Sequence, residues 1–356
     1  MLALPARGGE TVTGLGDLNV LISSGGRRGA LVRIVRSTLS ELTLSGRVLV
    51  ADMSPLSAAW HLADAGFRVP RCTHPSFIPH MLDLCRTQAV TIVIPTIDPE
   101  LPVYAGSRSD FERAGTMVAV SSPEAIAICR DKRRTHEWLV AHGFPTVRQC
   151  AWAELLADRD RWAFPLVVKA REGSASLGVW VVRGAEELAA LAMRLEAATH
   201  AAAGGPDGYI VQSMARGDEY TVDACVLDGR CVCTVPRRRL ETRSGEVSKG
   251  IAIRSEEIQE VASRVCEALP GARGVMNVQL FHDHGSGEIA IIELNGRFGG
   301  GFPLTWRAGA NMLRWLIEWQ LGMPSTAAPD EWQDGLLMLR YDDAVFVASG
   351  HSLVDR

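Results

Sequence analysis

In the stretch IAIIELNGRFGGG, Ile289 to Gly301, four apolar residues run into a glutamate, an asparagine and an arginine, and then into three glycines. A strand sends alternate side chains to opposite faces, so Glu293 and Asn295 share one face at the end of a segment otherwise fit for burial. Two oxygen donors on one face suit a hard cation. For a lone Glu-x-Asn the simpler reading, a strand ending in a polar turn, would prevail. The rest of the chain decides between them.

The 356 residues are long for a single core and point to two or three domains. With 47% hydrophobic and 22% charged residues and a net charge of -4, the chain reads as an ordinary globular protein with no electrostatic footprint for nucleic acid or an anionic membrane. No apolar run is long enough to span a bilayer, and the apolar part of MLALPARGGETVTGLGDL is too short for a signal peptide, so a cytoplasmic protein is expected. The eight cysteines form no C-x-x-C pair, and several, Cys129, Cys225, Cys231 and Cys233, lie inside apolar runs, where cysteine is a small buried hydrophobe. All eight are expected to be reduced and structural. FHDH at 281–284, followed by GSG, reads as a hairpin turn rather than a metal site.

Along the first third, LNVLISS, GRVLVADMS and AVTIVIPTI read as buried strands that alternate with helices, the pattern of a doubly wound parallel sheet. Gly25, Gly26 and Gly29, with Asp52 ending the second strand, invite a dinucleotide-binding dehydrogenase reading. The spacing is not G-x-G-x-x-G, and two arginines sit in the turn, which can hold any anion or none. From residue 129 the character changes. DKRRTHEWLVAHGFPT is a helix stopping at Gly143 with Pro145 beyond it. FPLVVKAREGSASLGVWVV delivers Lys169 at the end of a strand and then a loop of Gly, Ser and Ala from Gly173 to Gly178, a composition suited to a flap over phosphates. An Ala-rich helix leads to YIVQSMARGDEYTVD, two strands around a short polar excursion, the second carrying Glu219 and Asp223. Arg237, Arg238, Arg239, Arg243 and Lys249 then concentrate positive charge, either as a solvated strand edge or as a site for an anionic substrate or a transferring phosphoryl group. Gln279 would meet Glu293 if GVMNVQLFHD pairs with the opening stretch. FPLTWRAGAN starts a helix behind it, and GLLMLRYDDAVFVASG reads as a final hairpin that completes the sheet.

This succession of DKRRTHEWLVAHGFPT, FPLVVKAREGSASLGVWVV, YIVQSMARGDEYTVD, PRRRLETRSGEVSKG, GVMNVQLF and IIELNGRFGGGFPLTWRAGAN resembles an ATP-grasp enzyme, most like the proteins similar to the large subunit of carbamoyl phosphate synthetase. The resemblance covers nearly the whole chain. It implies an α/β fold: a Rossmann-like parallel-sheet domain over 1–128, then a two-lobed α+β ATP-grasp domain, with a small lobe over 129–205 carrying the flap and a large lobe over 206–356 carrying the metal site and tail. It implies that Lys132 and Lys169 contact ATP phosphates and that Gly173, Ser174, Ser176 and Gly178 belong to the mobile flap. Gln212 and Met214 would line the adenine pocket, although the glutamate that family members often have in this linker is missing, and Glu219 would hold the ribose. Gln279, Glu293 and Asn295 match the ligands of Mg2+, for which Mn2+ could substitute. Arg297 matches the arginine that reaches the transferring phosphate, with Lys249 and Arg239 as further candidates near the developing charge.

The implied activity is an ATP-dependent carboxylate-amine ligase that works through an acyl phosphate on small-molecule acid and amine substrates and releases ADP and phosphate. A homodimer is the default expectation. Carbamoyl phosphate synthesis is not expected, because that activity uses two grasp modules and only one is present. The rivals are a non-catalytic ATP-binding sensor or partner protein, against which the complete lysine and metal-ligand set argues, and the dehydrogenase, which explains nothing after residue 129.

Overall fold

The computed structural model describes residues 17–173, 178–199, 208–243, 245–348 and 353. Fifteen strands among them form three sheets. The first comprises β1 (Asn19–Ser23), β2 (Val48–Asp52), β3 (Ala65–Arg68), β4 (Val90–Pro95) and β5 (Met117–Val118), all parallel, in the order β3-β2-β1-β4-β5. The apolar runs of β1, β2 and β4 are buried on both faces, as a parallel sheet covered by helices demands. The order reverses between β1 and β4, and the crevice beyond the carboxyl ends of strands at such a point is where open α/β sheets hold ligands.

Two short polar devices shape that crevice. The turn after β1 is tight: a Cβ on Gly25 would lie 2.7 Å from Val50 Cγ1, and Gly26 adopts φ +46°. Asp52 closes the turn, accepting from the Gly26 N–H at 2.7 Å and the Ser54 N–H at 3.2 Å. The carboxylate that a dehydrogenase would offer to a ribose is therefore spent on the chain's own backbone. Across the gap, the fully buried Glu100 accepts from Ser23 and Ser24 hydroxyls at 2.7 and 2.8 Å and from the Thr96 and Ile97 N–H groups at 2.6 and 3.1 Å, tying the ends of β1 and β4 together. Burial pushes the Glu100 carboxyl up, and these bonds offset only part of that rise.

The second sheet, antiparallel, has the order β6-β9-β7-β8, from β6 (Gln149–Ala151), β7 (Leu166–Ala170), β8 (Val179–Val182) and β9 (Tyr209–Ser213). It has its own core around Trp152, Leu166, Val168, Leu188 and Val211. The third, also antiparallel, has the order β14-β13-β10-β11-β12-β15, from β10 (Asp218–Leu227), β11 (Arg230–Arg243), β12 (Glu246–Ala252), β13 (Gly274–Asp283), β14 (Glu288–Asn295) and β15 (Leu337–Leu339). One continuous apolar cluster joins β1 and the helix Gly29–Glu41 to Cys225 and Val235 of this sheet and to Leu313 and Leu316 of the helix Met312–Gln320. The first sheet is thereby fixed against the third, which determines the geometry of the gap between them.

The sequence reading missed β3 and β5, which have only four and two residues. The tail differs from the expected hairpin: β15 alone pairs with β12, and 340–347 form no strand. FPLTWRAGAN does open a helix, Phe302–Arg307, and the FHDH segment does lead into the turn between β13 and β14. All eight cysteines are free thiols, five of them buried. Of the segment MLALPARGGETVTGLGDL, residues 1–16 lie outside the described residues, and among those described no helix is long and apolar enough to cross a membrane.

Candidate active site

Lys132 begins the helix Lys132–Ala141, which Asp131 caps through the Arg133 N–H at 3.0 Å. Burial alone would raise the Asp131 carboxyl, but the Arg171 guanidinium, 2.8 Å away, and the capped N–H groups hold it below the usual carboxylate range. Pinned in this way, Lys132 donates to the Gly173 carbonyl at 2.9 Å at the entrance to the glycine-rich loop. Gly173 and Gly178 take φ +129° and +69°, conformations that glycine adopts without strain. Residues 174–177 between them, Ser174 and Ser176 included, lie outside the described residues.

Lys132 and Gly173 line a cleft of about 270 Å³ between the second and third sheets. Lys169, from β7, enters from the same side. Gln212 and Met214 form the wall where β9 leaves the small sheet, and Glu219, Gln279 and Glu293 form the floor. Gln279 and Glu293 are register partners across β13 and β14, with a bulge beside them that turns Ile292 as well as Glu293 toward the cleft. Asn295 is paired with Asn277 and buried at 6% exposure, and it lines neither this cleft nor the next. Among the described residues, the side chains of Gln279, Glu293 and Asn295 make no hydrogen bond to another side chain or to the backbone. Lys169 is 6% exposed. Burial, and after it Lys132, push its ammonium down to about 8 against the pull of Glu293 and Glu219.

A second cavity of about 240 Å³ continues from the first, and Arg239 and Gln279 belong to the walls of both. It fills the gap between the sheets. Arg28, Thr96 and Asp98 face it from the crevice of the first sheet, Arg237 and Asn277 from the third, and the Gly299–Gly301 backbone closes one side. Arg297 bridges the gap with two bonds to Asp98, 2.8 and 2.7 Å long. Burial opposes its charge, but Asp98 more than restores it, and the guanidinium stays firmly protonated. Arg239 pairs with Glu219 and donates to the Gly245 carbonyl at 3.2 Å. Lys249 is not brought to either cavity: it is exposed and pairs with Glu241 at 2.6 Å.

Arg237 is 2% exposed and bonds Asp223 through Nε and Nη2 at 2.8 and 2.9 Å. Asp223 also accepts from Asn277 at 2.5 Å and from Thr305. This knot holds Arg237 where it is and explains the glycine at 301, where a Cβ would lie 1.9 Å from Arg237 Nη1 and 2.8 Å from Val247 Cγ1. Gly301→Ala is therefore expected to lower stability by about 2 kcal/mol, the usual scale of overpacking where the neighbour cannot retreat. A denaturant midpoint equal to that of the wild type would show that Arg237 is freer than its bonds indicate.

Asp98, Arg28 and Asn277 were missed by the sequence reading as site residues. The arginines in the glycine turn were the one signal that could have drawn attention to Arg28.

Two family descriptions match the chain: "PylC-like, N-terminal domain" over residues 20–119 and "ATP-grasp in the biosynthetic pathway with Ter operon" over residues 206–344. Among curated proteins, the chain is 25% identical over 238 residues to the bifunctional purine biosynthetic protein PUR2,5 of Pichia angusta, covering 66% of this chain and 29% of that one. It is 27% identical over 201 residues to the D-alanine–D-alanine ligase of Ectopseudomonas mendocina, covering 52% of this chain and 61% of the ligase. It thus spans less than two thirds of these relatives. Among solved structures, the biotin carboxylase domain of the Hydrogenobacter thermophilus 2-oxoglutarate carboxylase, in complex with MgADP and bicarbonate, superposes with a TM-score of 0.70 at 16% identity, over 91% of this chain and 74% of that one. The N5-carboxyaminoimidazole ribonucleotide synthetase of Thermotoga maritima gives a TM-score of 0.61 at 20% identity, over 87% and 77%. At such identities the likeness concerns the fold. The two family matches follow one another along the chain in the order of its first and third sheets, and over residues 206–344 the chain matches an ATP-grasp family.

Proposed function

We propose that the chain is an ATP-dependent ligase that joins a small carboxylic acid to an amine through an acyl phosphate. The observation that carries this reading is the continuity of the two cavities: a cleft with two buried lysines opens into an arginine-lined chamber across the shared residues Arg239 and Gln279. A nucleotide in the cleft and an acid in the chamber would meet there.

In this reading Gln212 and Met214 border the adenine and Glu219 the ribose, which Glu219 would share with its present partner Arg239. Lys132 and Lys169 bind the phosphate oxygens, and Gly173 and Gly178 frame the flap. Gln279, Glu293 and Asn295 would hold Mg2+. Gln279 and Glu293 fit it: they are oxygen donors facing the same cleft with no competing hydrogen bond among the described residues, and Asn295 follows on the same strand. One carboxylate and two amides make a weakly charged set that needs phosphate and water to complete an octahedron. Accordingly, no group of three or more His, Cys, Asp or Glu able to hold a metal occurs among the described residues. When bound, the ion would neutralise charge on the phosphate oxygens.

The acid's carboxylate oxygen attacks the terminal phosphorus, the bond to the bridging oxygen breaks, and ADP leaves. The amine lone pair then attacks the acyl carbon, phosphate departs with the electron pair of the C–O bond, and the amine gives up a proton. Lys169 and Arg297 stabilise the charge that accumulates in the first step, and an acyl phosphate formed there would need shielding from water, the purpose a flap over the phosphates would serve.

The test is phosphate release by the purified protein with ATP and Mg2+ against pooled acids and amines, with product masses read in parallel. Release that requires both an acid and an amine, gives a mass equal to their sum less water, and falls by about 10²-fold or more in Glu293→Gln is the expected result. Tight ATP binding with no release would favour a non-catalytic nucleotide-binding protein.

A further inference from the structure

We infer that Arg28 selects an acid substrate carrying a second anionic group, carboxylate or phosphate, at the end remote from the carboxylate that is activated. The inference rests on the ligase reading only for which end reacts. The anion site itself follows from the charges in the chamber.

Each arginine at the chamber other than Arg28 has a carboxylate hydrogen-bonded to it: Arg237 has Asp223, Arg297 has Asp98, and Arg239 has Glu219. Arg28 has none among the described residues. Its only side-chain hydrogen bond among the described residues is a long one, 3.4 Å, from Nη2 to the Thr96 carbonyl. The two carboxylates that most favour its charge are already engaged elsewhere, Glu246 with Arg340 at 3.0 Å and Asp98 with Arg297. Burial, and then the neighbouring Arg297, depress the Arg28 guanidinium, so its charge is held in place at a cost that an incoming anion would remove.

Its position gives the guanidinium a target. Arg28 closes the glycine turn after β1, its N–H bonded to the Gly25 carbonyl at 2.7 Å, and it stands at the N-terminal end of the helix Gly29–Glu41, whose start has no side-chain cap. It therefore faces the chamber from the switch point of the first sheet, whereas Gln279 and Arg239, which open to the nucleotide cleft, belong to the third. A molecule activated at the Gln279 end meets Arg28 across the chamber, and about 240 Å³ accommodates a diacid of a few carbons. The glycine wall also serves this approach: a Cβ on Gly300 would come within 3.3 Å of Arg28 Nη1. A planar guanidinium in that place discriminates by charge and by its two-pronged geometry.

Calorimetric titration of the wild type with glutarate, 4-phosphonobutyrate and the singly charged glutaramate, with ATP titrated separately, tests the assignment. The expected result is that at least one doubly anionic probe binds about tenfold or more tighter than glutaramate, the scale of one charge-assisted contact. Which of the two is favoured tells carboxylate from phosphate. Arg28→Gln should bring the ratio close to one with ATP affinity unchanged, and Arg28→Lys should keep part of it. Equal or undetectable binding of all three probes to the wild type, or an undiminished ratio in Arg28→Gln, overturns the inference. Failure of ATP to bind the wild type would instead overturn the ligase reading, which the anion titration does not depend on.

Discussion

Lys169→Met is expected to reduce ATP-dependent turnover by about 10²–10³-fold, the cost of removing one preorganised donor from a transferring phosphoryl group. A second consequence separates this lysine from any other cation near the phosphates. In the ligand-free chain its ammonium titrates near 8, pushed down first by burial and then by Lys132. Nucleotide phosphates placed beside it would favour the charged form again. ATP binding at pH 8 to 9 should therefore take up a proton, readable as a binding enthalpy that changes with the ionisation enthalpy of the buffer, and this uptake should fade below pH 7, where the group is already charged. The same shift acts on folding with a definite sign. The folded value is about 8 and the unfolded value 10.5, so the unfolded chain binds the additional proton between them, and this group's contribution favours the fold increasingly as pH rises through that window. Proton uptake unchanged in Lys169→Met would show that the titrating group lies elsewhere.

How far such a site can be read from sequence depends on whether its parts are set by alternation or by the approach of distant segments. The apolar runs of β1, β2 and β4 identify themselves, because strands buried on both faces have no polar period to disguise them. The visible turn between β13 and β14 makes the two strands neighbours, but counting back from it pairs Gln279 with Ile292, and only the bulge beside Leu280 brings Gln279 opposite Glu293. The arginine cluster shows both the power and the limit of the rule. A period of two sends Arg237 and Arg239 to the chamber and Arg238 to the other face, where it bonds Asp218 at 3.0 Å. Two register shifts between β11 and β12 then upset the counting, and Lys249, expected near the developing charge, comes out exposed beside Glu241. The partner of Arg297 was beyond reach for a different reason: Asp98 is 199 residues away, and only the packing of one sheet against another brings the two together. Arg28 belongs to the same class. Its segment could be read as an anion-binding turn, but the chamber it faces does not exist until the first and third sheets meet.

The interior of the third sheet shows why that meeting is so tightly specified, and Asp223→Ala is expected to cost about 3–5 kcal/mol of stability, the range for removing one member of a buried ion pair. Asp223 is fully buried and accepts from both prongs of Arg237, from Asn277 and from Thr305, joining β10, β11, β13 and the helix after the glycine wall at one carboxylate. Without it Arg237 is left charged and buried, and Asn277 and Thr305 lose their acceptor. Denaturant unfolding measures the loss, and Asp223→Leu combined with Arg237→Met should recover much of it, because two apolar side chains carry no desolvation penalty. The two roles of the pair then separate. If the double variant is stable but binds the acid poorly, the pair is retained for the chamber that Arg237 lines, since the fold alone could be held by hydrophobic packing. If the double variant remains as unstable as Asp223→Ala, the hydrogen bonds to Asn277 and Thr305 carry the stability and Arg237 is the lesser partner.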